Sequence, residues 1–370
     1  MARQTVFIAG GGTGGHIYPA LAIARGLLEL NSELDIHFVG SPVGLETQII
    51  PNQGFPLHLV PIGRLNRNVG LGERLKTLVG LPLSFFVALF LLLKFRPKLL
   101  LGVGGFASAP VLFVGALCGF KTVIWEPNAY PGLANRWLAK VVGLGLVVFS
   151  EAKDLLRVKR VLKIGLPVRK EIEELAGSRR PHVGPLRILI FGGSQGARGI
   201  NNTVCDAVCK GGDWLDQVEI IHQTGKHDFA SVKAKYQSDG ARVDVREYLP
   251  NIHEQYAWAD MVICRAGVST IAELAAAAKP AILVPFPFAS DDHQQKNAEA
   301  LVKDDAAVMV IQKDFTPDRL VRIIREIVRN PARLEQLSGN IRRFHQPKAA
   351  EGTAKVLLAE MAGKNSNEQN

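Results

Sequence analysis

Seven residues near the start of the chain, Gly10-Gly11-Gly12-Thr13-Gly14-Gly15-His16, have the composition of an anion-binding loop. Glycine lets the backbone take positive φ and approach a ligand closely. A helix that follows such a loop presents unpaired N–H groups and a positive dipole end. The alternative is a tight turn that binds nothing, but such a turn needs fewer glycines than the five here. The loop also matches the dinucleotide fingerprint G-x-G-x-x-G through Gly10, Gly12 and Gly15. That chemistry requires an acid at the end of the second strand to hold a ribose. The second apolar segment, Asp35 to Val39, runs into Gly40-Ser41 instead. The dinucleotide reading is therefore set aside, and the absence of Gly-Lys-Ser/Thr excludes a P-loop.

Other stretches carry chemistry of the same kind. Gly102 to Ser108 is a second glycine loop, and Glu126-Pro127-Asn128 is a polar end to an apolar run. Gly192-Gly193-Ser194-Gln195-Gly196-Ala197 is a third glycine loop. Further on, Cys264-Arg265-Ala266-Gly267 leads into Val268-Ser269-Thr270-Ile271-Ala272-Glu273, where Ser269 or Thr270 is expected to cap a helix. Glu273, one turn in, is either a glutamate favoured by the helix dipole or an acceptor for the vicinal hydroxyls of a ribose. Asp291-Asp292-His293-Gln294-Gln295 is a polar cluster after a strand. Its first three residues are consecutive, so they cannot all face one metal ion from a helix.

These residues need a scaffold, and the pattern around them supplies one. Apolar runs at Thr5–Ala9, Asp35–Val39, Leu57–Val60, Lys98–Leu101, Thr122–Trp125 and Leu144–Phe149 read as strands alternating with helices such as Ile17–Leu30 and Gly44–Gln53. The same strand, glycine loop and helix reappear at Arg187–Phe191, Gly192–Ala197 and Ile200–Val208. Two similar doubly wound α/β domains are expected. Their boundaries read as 1–165 and 186–344, with 166–185 as linker. A terminal helix at 345–363 is expected to pack back on the first domain, and the polar tail 364–370 to be disordered.

The 370 residues are 47 % hydrophobic and carry a net charge of +10. That charge suits anionic partners: phosphorylated substrates, nucleic acid or an anionic membrane surface. The four cysteines form no C-x-x-C pair, so neither a zinc site nor a disulfide framework is indicated, and a reducing compartment fits. The N-terminus enters a strand within a few residues, so no secretory signal is expected. Val79 to Leu93 is strongly apolar, contains Pro82 and is followed by Lys94 and Arg96. A bilayer span needs roughly 20 apolar residues. The run reads either as a buried helix of the first domain or as a surface helix entering a membrane interface with help from its cations.

The ordered set of motifs resembles the GT-B glycosyltransferases of peptidoglycan synthesis, glycosyltransferase family 28. It comprises Gly11 to His16, Gly102 to Pro110, Asn128, Pro167-Val168-Arg169, Gly192 to Gly196, Cys264 to Glu273 and Asp292 to Gln295. The resemblance covers nearly the whole chain. It implies two Rossmann-like domains facing across a cleft. It implies inverting transfer of N-acetylglucosamine (GlcNAc) from UDP-GlcNAc to the C4 hydroxyl of N-acetylmuramic acid in lipid I, giving lipid II. It also implies a donor site in the C-terminal domain, an acceptor and membrane-associating N-terminal domain, no cofactor, and a place on the cytoplasmic face of the bacterial inner membrane. No Asp-x-Asp motif occurs in the chain, and metal-independent catalysis is expected.

Carried over by resemblance, Glu273 is the ribose ligand and Val268, Ser269, Thr270, Ile271 and Ala272 belong to the diphosphate segment. Leu249 meets uracil through its backbone. Gln294 and Gln295 read sugar hydroxyls, and Asn128, Arg169 and Ser194 are further donor contacts. Thr13, Gly14 and Gly15 line the cleft and meet the acceptor diphosphate or the donor sugar, while Gly104, Gly105 and Glu126 form an acceptor-side loop. His16 is the candidate general base, or else a helix-start histidine that orients the loop. This chain reads Trp125-Glu126-Pro127-Asn128 where many relatives have His-Glu-Gln-Asn, and Phe288 where histidine is common. Competing readings are another GT-B transferase moving sugar from UDP to a lipid, a UDP-GlcNAc 2-epimerase of the same architecture, and a basic adaptor. The adaptor is disfavoured because no recognised nucleic-acid motif is present.

Overall fold

The computed structural model describes residues 4–12, 14–63, 70–177 and 184–363. Thr13, positions 64–69, positions 178–183 of the expected linker and the tail 364–370 lie outside the described residues. The chain divides into two compact units: Met1–Pro167 with Lys348–Asn370, and Val168–Pro347.

In the first unit, strands and helices alternate as β1 (Gln4–Gly10), α1 (Gly14–Leu30), β2 (Leu34–Gly40), α2 (Glu46–Asn52), β3 (Leu57–Leu59) and α3 (Leu71–Phe95). They continue as β4 (Leu99–Gly104), α4 (Ser108–Leu117), β5 (Thr122–Glu126), α5 (Leu133–Leu138), β6 (Leu144–Val147), α6 (Ser150–Leu155) and β7 (Val161–Lys163). The second unit contains α7 (Lys170–Glu173), β8 (Leu186–Phe191), α8 (Arg198–Cys209), β9 (Val218–Gln223), α9 (Lys226–Ser238), β10 (Asp244–Arg246), α10 (Ile252–Trp258) and β11 (Met261–Cys264). It ends with α11 (Val268–Ala276), β12 (Ala281–Leu283), α12 (His293–Lys303), β13 (Val308–Met309), α13 (Pro317–Arg329) and α14 (Ala332–Arg342). The last helix, α15 (Ala349–Met361), belongs to the first unit.

The first sheet has strand order β3-β2-β1-β4-β5-β6-β7 and the second β10-β9-β8-β11-β12-β13. All pairings are parallel. Parallel sheets are covered on both faces, so their strands read as continuous apolar runs. Val6, Phe7, Ile8 and Ala9 are all fully buried in β1, and Ile188 and Leu189 in β8. In each sheet the order reverses beside the first strand, between β1 and β4 and between β8 and β11. The carboxyl edge at such a reversal is where open α/β sheets bind ligands.

Two elements differ instructively from the sequence expectation. The apolar run Val79–Leu93 belongs to a longer helix, α3, that has both of the faces weighed as alternatives. Ala88, Leu91 and Leu92 join the core, whereas Val79, Leu83, Phe86, Phe90 and Leu93 are 57–78 % exposed. Their spacing of four, three, four and three places them on one stripe. Within the expected linker, α7 is helical and its Ile172 is fully buried. Charged neighbours on either side hide that single anchor in the sequence.

Helix α15 packs on α1, where a Cβ on Gly26 would lie 3.2 Å from the Ala350 carbonyl oxygen. The Lys121 ammonium donates to the Glu360 and Met361 carbonyls at 2.6 and 3.2 Å. A cation on the last carbonyls of a helix satisfies groups that have no intrahelical partner.

Candidate functional site

The carboxyl edge of the first sheet is built from two interlocked glycine loops. Gly11 donates its amide to the Gly104 carbonyl at 3.2 Å. Gly10 has φ +148°, and a Cβ there would sit 2.3 Å from the same oxygen. Gly105, at φ +85°, would bring its Cβ within 2.8 Å of the Gly11 carbonyl. Neither loop tolerates a side chain at the crossing, which is the physical reason for glycine on both sides.

His16 lies inside the first turn of α1, because the helix starts at Gly14 and not at Ile17. Its ring rests against Gly104, where a Cβ would come within 2.8 Å of Cε1 and 3.0 Å of Nδ1. Gly104 is thus the space that the imidazole fills. Gly14 and Gly15 precede it in the same turn and are partly exposed.

Sequence reasoning missed the group at the centre of this edge. Glu46, the first residue of α2, is 1 % exposed. Its Oε2 accepts from the Gly12 amide at 2.7 Å, and its Oε1 accepts from both the amide and the hydroxyl of Ser41 at 2.9 Å. The opening loop therefore already holds an anion, supplied by the chain. No motif marks Glu46, since it looks like any first-turn glutamate.

Glu126 behaves similarly. It is the last residue of β5, it is 1 % exposed, and its two oxygens are taken by its own loop. Oε1 accepts from the Asn128 amide (2.9 Å) and side chain (3.2 Å), and Oε2 from the Gly132 amide and the Asn135 side chain, both at 2.9 Å. Burial pushes its carboxyl above the usual range, and these donors pull it partly back. Glu126 shapes the loop that presents Asn128 and is not itself open to a substrate.

The second unit holds the residues expected at the donor apart from Asn128, which belongs to the first unit. Its third glycine loop leaves β8 and is closed by contact with the end of β9. A Cβ on Gly196, at φ +76°, would lie 1.8 Å from the Thr224 carbonyl. Ser194 stands exposed at the tip of this loop. Beside it, α11 starts at Val268 with Gly267 as its N-cap, so neither Ser269 nor Thr270 caps it by side chain. Ser269 and Thr270 instead occupy the first turn, where the amides have no intrahelical acceptor and suit an anion. Ile271 is buried in the core, which leaves only its backbone for a ligand, and Ala272 is partly exposed.

Glu273 is in the second turn of α11. Arg169 Nη2 reaches its Oε1 at 3.2 Å, and the Tyr256 hydroxyl donates to its Oε2 at 3.0 Å. Desolvation pushes Glu273 upward, and the Arg169 charge and the Tyr256 hydrogen bond oppose that shift. Tyr256, on α10, is fully buried, and nothing in its sequence neighbourhood announced it.

The loop after β12 is fixed by residues that were also missed. Arg265 donates to the Val284 and Pro285 carbonyls at 3.0 and 3.2 Å and to Gln312 Oε1 at 2.6 Å. Its guanidinium lies 5.5 Å from the Phe286 ring centre, and burial draws its pKa down to about 10. Gln294 accepts from the Phe286 amide at 3.0 Å, and Gln295 donates to Glu299 at 2.9 Å. Asp291 and Asp292 are exposed at left-handed φ, a conformation that aspartate tolerates better than most residues. Leu249 is buried in the turn between β10 and α10. Among the described residues no group of three or more His, Cys, Asp or Glu side chains is placed to hold a metal ion.

Two Rossmann-like units, each with a glycine loop and a helix start at its strand reversal, form the architecture of the GT-B glycosyltransferases. Residues 6–143 match the glycosyltransferase family 28 N-terminal domain and residues 187–352 the glycosyltransferase family 28 C-terminal domain, and the chain belongs to this family. A relative from Bdellovibrio bacteriovorus is 44 % identical over 356 residues, covering 96 % of this chain and 99 % of its own. One from Myxococcus xanthus is 39 % identical over 369 residues, covering 98 % and 96 %. Both are named UDP-N-acetylglucosamine--N-acetylmuramyl-(pentapeptide) pyrophosphoryl-undecaprenol N-acetylglucosamine transferase. The crystal structure of Acinetobacter baumannii MurG superposes with a TM-score of 0.80 at 26 % identity, covering 96 % of this chain and 99 % of that one.

Proposed function

We propose that the chain transfers GlcNAc from UDP-GlcNAc to the C4 hydroxyl of the N-acetylmuramyl residue of lipid I, with inversion, to give lipid II. The observation that carries this reading is the 44 % identity, over essentially both full lengths, to a relative named for that transfer. The donor-side geometry supports it. Glu273 offers carboxylate oxygens to the ribose hydroxyls, and Arg169 lies beside it. The first turn of α11 and the loop around Ser194 offer amides to the diphosphate, whose leaving charge they stabilise as it develops. Gln294 and Gln295 lie on the neighbouring helix to meet the sugar. Departure of UDP with its charge held by backbone dipoles needs no bound metal.

On the acceptor side, His16 takes the proton of the attacking hydroxyl in this reading, and its ring against Gly104 supports that role. Nucleophilic attack from the face opposite the leaving UDP accounts for inversion. The exposed stripe of α3 is the surface proposed to enter an anionic membrane on the cytoplasmic side of the bacterial inner membrane, where the lipid-linked acceptor resides. Phe113 and Leu117 of α4 and Leu133 and Trp137 of α5 extend its exposed apolar area. Lys94 and Arg96 lie at its end. Among the described residues no helix is long and apolar enough to cross a membrane.

The test is an assay with UDP-GlcNAc and a short-chain lipid I analogue in the presence of EDTA. Formation of a β-linked disaccharide product supports the reading. Epimerised UDP-sugar in the absence of acceptor, transfer only from UDP-glucose or UDP-galactose, or loss of activity in EDTA would each contradict a stated part of it.

A further inference from the structure

The buried carboxylate of Glu46 has no part in the donor or acceptor contacts set out above, yet the opening loop is built around it. Three glycines, one after β1, one at the end of β2 and one between β2 and α2, make room for it. A Cβ on Gly11 would lie 2.4 Å from its Cδ, one on Gly40 2.6 Å from its Cγ, and one on Gly44 1.9 Å from its Oε2. Its three partners are all donors: the Gly12 amide, the Ser41 amide and the Ser41 hydroxyl. A first-turn glutamate normally faces its own helix amides or solvent. This one points away, to the segment leaving β1 and the segment leaving β2.

We propose that Glu46 is a positioning residue that fixes the opening glycine loop and, through it, the His16 ring at the start of α1. The proposal rests on the reading of His16 as the base for transfer. The argument is geometric. Gly12 is four residues before His16, and its amide is the point at which the carboxylate grips the loop. A glycine-rich backbone has many conformations available, so a fixed internal anion removes freedom that the glycines otherwise leave. The same bond means that the Gly12 amide is already engaged and does not serve a substrate phosphate. The loop then acts as a shaped platform for the imidazole, and its glycines admit Glu46 and the Gly104 segment.

Glu46→Gln is the decisive variant because it keeps the volume. In either orientation its amide nitrogen opposes a backbone N–H, that of Gly12 or that of Ser41. Hydrogen–deuterium exchange of the intact chain should show residues 10–17 exchanging faster by on the order of tenfold, with the second unit unchanged. With UDP-GlcNAc and the lipid I analogue, kcat should fall on the order of tenfold or more, while the UDP-GlcNAc KM and UDP affinity stay within about twofold. Wild-type exchange in this segment, a kcat within twofold of wild type, or a UDP affinity that falls in step with kcat would overturn the proposal. Exchange needs no substrate. An inactive wild-type chain would therefore remove the proposed reaction, while faster exchange in Glu46→Gln would still establish the grip on the loop. Should Glu46→Gln fail to fold, Ser41→Ala decides, since it removes only the hydroxyl donor. Faster exchange at 10–17 with unchanged UDP affinity supports the proposal, and wild-type exchange and turnover overturn it.

Discussion

Arg169 Nη2 lies 3.2 Å from Glu273 Oε1, joining the segment before α7 to α11 across 104 positions of sequence. The other carboxylate oxygen belongs to Tyr256. Glu273 is thus held from two sides while keeping part of its surface accessible. Replacing Glu273 with Gln should raise the KM for UDP-GlcNAc on the order of tenfold, the usual scale for losing a charge-assisted hydrogen bond. Tyr256→Phe removes only the buried donor and should weaken UDP binding about threefold. Titration calorimetry with UDP measures both, and wild-type affinity in Tyr256→Phe would remove Tyr256 from the holding role.

His16→Ala should separate chemistry from donor binding. Loss of a general base lowers turnover on the order of a hundredfold or more, and UDP affinity should remain within about twofold because the residues expected to hold the uridine and diphosphate, Leu249, Ser194, Ser269, Thr270 and Glu273, lie in the other unit. Steady-state kinetics beside UDP titration read the two effects. Near-normal turnover would leave His16 only its packing role against Gly104.

The α3 stripe makes a prediction independent of catalysis. Phe86 and Phe90 are 68 % and 57 % exposed, so charging them does not disturb the core. The double variant Phe86→Glu with Phe90→Glu should stop sedimenting with phosphatidylglycerol vesicles at low salt, yet keep its thermal stability and its activity on a short-chain, water-soluble acceptor. Undiminished vesicle binding would assign membrane contact to another surface.

His222 gives the second unit an acid sensitivity. It is fully buried between Tyr236 and Asn201, whose side chains lie 2.9 and 3.2 Å from its ring nitrogens. Burial lowers its pKa from 6.5 to about 3. A histidine with a depressed folded value stabilises the fold above its unfolded pKa. That contribution is lost as pH falls from about 6.5 toward 3, by about 1.4 kcal/mol per pH unit. Denaturant unfolding from pH 7 to pH 4 should therefore show a steeper loss in the wild type than in His222→Gln. Parallel pH profiles would contradict this assignment.

Much of the architecture was legible because parallel strands are continuous apolar runs. Thr5–Ala9 and Arg187–Phe191 announced the first strand of each sheet, and the glycines after them announced the strand reversals. The short edge strands β7, β10 and β13 carry little pattern of their own. At the site, the residues with motif context, His16, Arg169 and Glu273, could be named in advance. Glu46 and Tyr256 could not, and the role of Arg265, although it stands inside the Cys264–Glu273 motif, could not either, because each acts through partners far away in sequence: Gly12, Glu273 and Gln312. Ser269 and Thr270 lie in the expected first turn, but the cap is Gly267 and neither of them.

The placement of α15 on α1 has a consequence for how the polypeptide matures. The first unit is encoded in two pieces separated by the whole second unit. During translation at about 5–20 residues per second, the β1–β7 sheet emerges early with the flank of α1 at Gly26 still uncovered. The second unit can complete its own core while that flank waits. Only when Met361 has left the ribosome does the opening segment of the protein acquire its last layer, so the part made first is the part finished last.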